Sequence, residues 1–458
     1  MSKLLIRNVE IEGQGGLDVS IANGRIVAVG PDLPGSGPTL DGCGGALIPG
    51  LIDHHIHLLA TAAAQASLDL SDCADIADLA RRIGEACTAL DPGAWLRATR
   101  LPITIAQTLD RDALDSLGID HPVRVLDRTG ALWVLNGRAL QIVGEESDTL
   151  ERNESGRATG RLWRGDAWLR QRIGSAPPSL ATLGQSLAAL GITGVTDASA
   201  SSDAAAVKLM TLALPQRVLA MSRGKVEGAQ GPMKILLDER NLPDFEQLAD
   251  WIAEARTWGR AVAVHCVTAA ELGLVLAAFQ DAGAQPGDRI EHGGVIPASA
   301  IVEIAALGLR VVTQSGFIDA QGDRYLAAVE ETERGDLYRC ATLLAAGIPV
   351  AGSSDAPYGS IDCWAAMRTA TTRRTRGGVV LGPDEAVSPR TALDLYLGAQ
   401  TDPGGTPRRV APGAVADLCL LRCGLDEALA ALNASNVAAT IIDGRLLWRR
   451  SSNLPDAS

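Results

Sequence analysis

Aromatic side chains make up only 3% of this 458-residue chain, and histidine occurs just six times. No apolar run reaches the roughly 18 residues that a membrane-spanning helix requires, which argues against a membrane partner. The scarcity of aromatics argues against a flat stacking pocket for nucleobases. The opening segment, MSKLLIRNVEIEG, has neither the apolar core nor the small-residue cleavage site of a secretory signal, so a cytoplasmic location is expected. Positive charge is also short: a net charge of -13 disfavours nucleic acid and anionic membranes as partners and leaves a small-molecule substrate. A homo-oligomer is compatible with the composition. The one basic run, TTRRTRGG (371–378), reads as a solvated loop. The eight cysteines lack paired zinc spacing. Cys419 and Cys423 fall in LCLLRC, a strand pattern with no second pair nearby, so reduced, partly buried thiols are expected.

Both ends of the chain are rich in strand signals. KLLIRNVEIE and LDVSIANGRIVAVG carry an Asn23-Gly24 turn, and ADLCLLRC and VAATIIDGRLLWRR carry an Asp443-Gly444 turn. The expectation is one small β-sandwich built from residues 1–49 and 405–458. Between them, eight short apolar segments alternate with helical patterns: LIDHHIH, GITGVTDAS, RVLAMS, MKILLDE, AVAVHCV, RIEHGG, RVVTQS and PVAGSSDA. Eight β/α units imply an α/β fold of the TIM-like (β/α)8 barrel class over residues 50–404, with the active site where the strands end. The long gap after the first strand predicts an inserted subdomain, roughly 60–185, and a candidate lid. Its expected elements are the helix IADLARRIGEACTAL and strands around VRVLDRTG and ALWVLN.

The stretch GLIDHHIHL (50–58) holds half of the histidines. Side chains alternate along a strand, so Asp53, His55 and His57 share one face and His54 points the other way. His55 and His57 then form an H-x-H clamp able to hold one cation, while His54 is a packed or capped bystander. His265 closes AVAVHCV and His292 closes RIEHGG. Either alone reads better as a satisfied core histidine; four histidines at the ends of three strands point to metal. Asp355, in PVAGSSDAPYG, is either a helix N-cap or a carboxylate ligand that also takes a proton from metal-bound water. Lys234, in GPMKILLDE, either pairs with Asp238 or Glu239, or reacts with carbon dioxide to give a carbamate that bridges two metals. A bare ammonium facing two dications would be repelled. Charge favours the carbamate: two dications carry +4, while carbamate, aspartate and a bridging hydroxide carry -3.

With these residues assembled, the sequence resembles the amidohydrolase superfamily over nearly its whole length. PGLIDHHIHL is similar to the signature of its first barrel strand. MKILLDE resembles the lysine strand of urease and hydantoinase, VHC, EHGG and GSSDAP match the later ligand strands, and APGAVADLCLL with IIDGRLLW resembles the returning sandwich. GITGVTDAS, TGALWVLNGRAL and GRATGRLW are similar to the branch containing N-substituted formamide deformylase. Two features depart from that branch: Ala131 stands where a histidine is common, and DERNLPDF leads directly into a helix.

The resemblance implies a binuclear hydrolase cleaving a C–N bond of an amide, N-acyl, formamide or cyclic amide substrate. His55, His57 and Asp355 are expected on one metal and His265 and His292 on the other, with carbamylated Lys234 and hydroxide between them. Bound water would drop from a pKa of about 15.7 toward ~7, and Asp355 would pass its proton to the leaving nitrogen. Zinc is the first choice of ion, with manganese, iron or cobalt compatible. The rivals are a mononuclear deaminase, which needs a glutamate soon after His265 where the first acid is Glu271, and a scaffold that has lost its chemistry. Arg100, Arg128, Gln314, Arg324 and Tyr358 are candidates to line the mouth, though for each one alone a surface contact is the stronger reading. An arginine there would suit a carboxylate-bearing substrate.

Overall fold

The computed structural model describes residues 3–35, 37–174, 178–238 and 241–451. It divides into two compact units, Met1–Leu58 with Leu180–Ser458, and Leu59–Ser179. Among the described residues no helix is long and apolar enough to cross a membrane.

In the larger unit the chain ends form two four-stranded sheets. One joins Lys3–Ile11, Gln14–Ala22, Arg25–Gly30 and Thr39–Asp41; the other sets Leu47–Pro49 beside Leu418–Leu421, Val437–Ile442 and Arg445–Arg449. Asn23 and Gly24 have φ of 51° and 73°, and Asp443 and Gly444 have 51° and 69°, the left-handed pairs that tight two-residue hairpins require. Alternate side chains of both sheets enter one buried cluster, with Ile6, Val19 and Ile21 from the first and Leu47, Leu418 and Ile441 from the second. Each such side chain contributes about 1.5–3 kcal/mol on burial.

Eight parallel strands follow in two further sheets. β1 (Leu51–Ile56), β2 (Ile192–Asp197) and β3 (Arg217–Ala220) form the first, in the order β3-β2-β1. β4 (Met233–Ile235), β5 (Val262–Cys266), β6 (Arg289–His292), β7 (Arg310–Thr313) and β8 (Val350–Gly352) form the second, in sequence order. Each of the eight segments singled out in the sequence carries one of these strands. Most of their residues are buried on both faces, as parallel strands covered by helices require. Beyond the ladders, the Lys234 N–H donates to the Ser222 carbonyl (3.0 Å), and the Asp355 N–H donates to the His55 carbonyl (2.8 Å). The helices between strands are sharply started. Asp244 caps Phe245–Thr257, and Thr268 with Glu271 forms a reciprocal capping box on Ala269–Ala282.

The smaller unit holds a six-stranded mixed sheet, in the order Leu150–Arg152, Ala158–Trp163, Leu132–Leu135, Val123–Asp127, Leu96–Leu101 and Leu68–Asp69. The helix Ile76–Thr88, capped by Asp75, buries Leu79, Ile83 and Cys87, which a four-residue spacing sets on one face. Those three pack with Ala98, Val125 and Val134 of the sheet, while Trp133, Leu135 and Leu162 enter a second cluster with the helix Gly137–Val143.

Candidate metal centre

β1 reads LIDHHI and is buried at every position, an arrangement that is costly for Asp53, His54 and His55 unless their polar atoms are engaged. Asp53 accepts from the backbone N–H (3.0 Å) and hydroxyl (2.6 Å) of Ser354, tying β1 to the segment after β8. His54 has no hydrogen-bond partner at either ring nitrogen among the described residues, and burial pushes it down to about 3, so it packs as a neutral ring. The His55 Nδ1 meets a carboxylate oxygen of Glu291 on β6 in a short contact. His57, one residue past β1, has its Nδ1 3.1 Å from the Ser199 hydroxyl. Ser199 is held in turn by Asp197, which also accepts from the Leu58 N–H and the Ser202 hydroxyl.

The Nε2 atoms of His55 and His57 lie 3.3 and 3.2 Å from Oδ1 of Asp355, and Nδ1 of His292 lies 3.8 Å from Oδ2. His55, His292 and Asp355 each offer a ligand atom, all within 4.8 Å of one another. His265 is outside that trio, its ring set edge-on to His292 with centroids 4.4 Å apart. Lys234, 2% exposed, makes no hydrogen bond through Nζ among the described residues. Its charge acts on His55, His265 and His292 and is felt by Glu291. Of the alternative partners expected for Lys234, Glu239 lies outside the described residues.

Burial works against every charge in this cluster, and the neighbours decide each outcome. For Asp355 the imidazoles of His55, His57 and His292 outweigh burial and hold the carboxyl well below its usual range. Burial, then Lys234, pushes His265 down to about 3, and burial drives His292 well below the ordinary histidine range. Both rings are therefore neutral, the form that ligates metals. Burial lowers Lys234 despite Glu291 and Asp355. His292 and Asp355 have φ of 73° and 51°, left-handed conformations that bend the chain where β6 and β8 end.

The chemistry of the donors decides whether the site fits a metal. Buried His55 Nε2 and Asp355 Oδ1 face each other at 3.3 Å without hydrogen-bond geometry, and buried Lys234 Nζ has no hydrogen-bond partner among the described residues. Buried polar atoms are normally satisfied, and a divalent cation satisfies nitrogen and carboxylate donors together. The donor set fits.

The candidate mouth residues take different places. Gln314 is buried; its carbonyl oxygen lies 2.9 Å from the His292 Nδ1, and its amide NH2 donates to the Ser353 hydroxyl (2.9 Å). Tyr358 is half exposed and sits edge-on to His57 at 5.8 Å. Arg324 donates to Gln321 and lies over the Tyr325 ring. In the smaller unit, Arg128 donates to the Ser71 carbonyl and Arg100 pairs with Asp69. Glu291, Arg289, Ser199 and Asp197 escaped the sequence reading. For Glu291 the available signal was its place in RIEHGG, on the same strand face as the oppositely charged Arg289 and next to His292.

The sequence profile of the amidohydrolase family matches residues 39–447. N-substituted formamide deformylase from Arthrobacter pascens is 25% identical, over 98% of this chain and 98% of its own. An uncharacterized metal-dependent hydrolase from Pyrococcus horikoshii superposes with a TM-score of 0.75 at 18% identity, covering 98% of this chain and 100% of its own. One from Pyrococcus furiosus superposes at 0.72 and 20% identity, covering 91% and 98%. A profile match across most of the chain, on a fold that gathers histidines and an aspartate at strand ends, decides the assignment: the chain belongs to the amidohydrolase family, as a metal-dependent hydrolase of carbon–nitrogen bonds.

Proposed function

We propose that this enzyme is a binuclear hydrolase that cleaves an amide-like C–N bond in a formamide, N-acyl or cyclic amide substrate. In this reading the eight strands close into a (β/α)8 barrel over residues 50–404, with residues 60–185 inserted. Residues 1–49 and 405–458 then pair as a sandwich. His55, His57 and Asp355 would hold one ion and His265 and His292 the other, with Lys234, as its carbamate, supplying an anionic ligand to the pair. The observation that carries the reading is the meeting of His55, His292 and Asp355, whose ligand atoms lie within 4.8 Å of one another, with the buried Lys234 near enough for its charge to act on His55 and His292. The lowered Lys234 supports the carbamate, because the neutral amine is the form that adds to carbon dioxide.

When bound, the ions supply Lewis acidity and a water nucleophile at neutral pH, the pKa falling from about 15.7 toward ~7. The ionised Asp355 takes the proton of the attacking water and returns it to the leaving nitrogen. Tyr358, edge-on to His57, and Arg324 are the proposed substrate contacts in this unit. The overall likeness to N-substituted formamide deformylase favours formamides among the candidate substrates. Glu271, the nearest acid after His265, accepts from the N–H groups of Val267 (2.7 Å) and Thr268 (2.9 Å) in its capping box. That leaves the deaminase reading without its glutamate.

Metal analysis with a hydrolysis screen tests the proposal. Near two ions per chain, with amine released from formamides, N-acyl amino acids or cyclic imides, is expected. One ion per chain with ammonia released from a ring amine would favour the deaminase.

A further inference from the structure

Glu291 has no part in the proposed chemistry, yet it is placed at the centre of the cluster. It lies on β6 between Arg289 and His292, and its carboxylate is fully buried. Both oxygens are engaged: one contacts the His55 Nδ1, and the other accepts from the Arg289 Nε at 2.5 Å. Arg289, equally buried, directs another nitrogen toward the His54 carbonyl (3.4 Å) and lies 3.8 Å from the Met221 sulfur. Arg289, Glu291 and His55 thus form a chain ending at an imidazole whose Nε2 lies 3.3 Å from Asp355. A carboxylate accepts and cannot donate, and a guanidinium donates and cannot accept, so each link has one direction.

We propose that Glu291 is a positioning residue for the metal centre: locked by Arg289, it keeps the proton of His55 on Nδ1 and so presents the Nε2 lone pair to a divalent cation. The inference rests on the reading of His55 as a metal ligand. A ring N–H donated to a carboxylate orients a ligand histidine and strengthens it as a donor.

Glu291→Gln tests the direction of the chain. An amide has one accepting and one donating end, and Arg289 claims the acceptor. The NH2 then faces His55 Nδ1, which must give up its proton to Nε2, and the lone pair facing Asp355 is lost. The double variant Arg289→Met/Glu291→Gln removes that claim and lets the amide oxygen turn to His55. Zinc titration of the metal-free, full-length proteins against a chromophoric chelator is expected to show E291Q binding roughly 10–100-fold more weakly than the parent. The double variant should recover most of that loss, an outcome that general damage to packing does not produce. Parent-like zinc binding by E291Q, or a folded double variant binding no better than E291Q, overturns the proposal. Nitrogen NMR of histidine-labelled, zinc-loaded parent protein decides independently of how the variants fold. A protonated Nδ1 on His55 is expected, and a metal-bound Nδ1 overturns it. Failure of the underlying metal reading has a different signature: the parent binds no zinc, or His55→Ala binds it as tightly as the parent.

Discussion

Asp355 is held at φ 51°, a backbone conformation that aspartate tolerates better than most residues but that still costs about 1–3 kcal/mol. That cost is compensated only if the turned carboxylate is needed where it lies, between Nε2 of His55 and Nε2 of His57. Asp355→Asn keeps shape and backbone preference while removing the negative charge and the basic oxygen. Steady-state kinetics should show kcat falling by roughly 10²–10⁴-fold, the usual contribution of a positioned general base. Lys234 makes a separate demand. In the proposed binuclear centre, its nitrogen would add to the carbon of carbon dioxide and release a proton before the side chain served as an anionic ligand. Metal-free enzyme reloaded with zinc in carbon-dioxide-free buffer should therefore regain little activity, and added bicarbonate should restore it. Lys234→Arg should not respond to bicarbonate. Full reactivation without bicarbonate would remove the carbamate from the mechanism.

At the scale of elements, the short helix Ala341–Ala345 before β8 shows how the chain near the site is anchored. Glu385, distant in sequence, accepts from the N–H groups of Cys340 (2.9 Å) and Thr342 (3.1 Å), from the Thr342 hydroxyl (2.6 Å), and from Arg339 (2.5 Å). Burial works to raise its pKa, but these partners outweigh it and hold the carboxyl below the ordinary 4.5. A depressed carboxylate stabilises the fold above its unfolded pKa and loses that contribution as pH falls through the folded value. Glu385→Gln should lower stability in urea by about 1–3 kcal/mol near neutral pH. The gap between variant and parent should narrow once pH drops below 4.5. Contacts of this kind mark the limit of what the sequence discloses. The strand segments were legible because parallel strands buried on both faces are short apolar runs, and the candidate ligands because they stand where those runs end. Asn23-Gly24 and Asp443-Gly444 announced their turns by residue type alone. Arg373 did not: in TTRRTRGG it reads as solvated, yet it is fully buried and donates to the carbonyls of Leu337, Tyr338 and Leu381. Nothing local distinguishes it from its exposed neighbours Arg374 and Arg376. The Glu291–His55 contact was hidden for the same reason, since its two partners are 236 positions apart.

At the scale of the whole molecule, the candidate ligands come from β1, β4, β5, β6 and the segment after β8, so an unfolded chain cannot offer them together. An ion that binds only the folded chain adds its binding free energy to the stability of the fold, about 2.7 kcal/mol when free metal stands 100-fold above its dissociation constant. Chelation should therefore lower the melting temperature by several degrees, and zinc should restore it. A contrast locates the effect. His55→Ala should lose a large part of the zinc-dependent shift, because one of the two ions loses a donor. Ile6→Ala, in the buried cluster shared by the two terminal sheets, should lose about 2–5 kcal/mol yet keep the full zinc-dependent shift. Scanning calorimetry of the three proteins with and without zinc separates the two terms. A parent enzyme whose melting ignores zinc, or a His55→Ala variant that keeps the parent's full zinc-dependent shift, would show that these histidines do not gather around an ion.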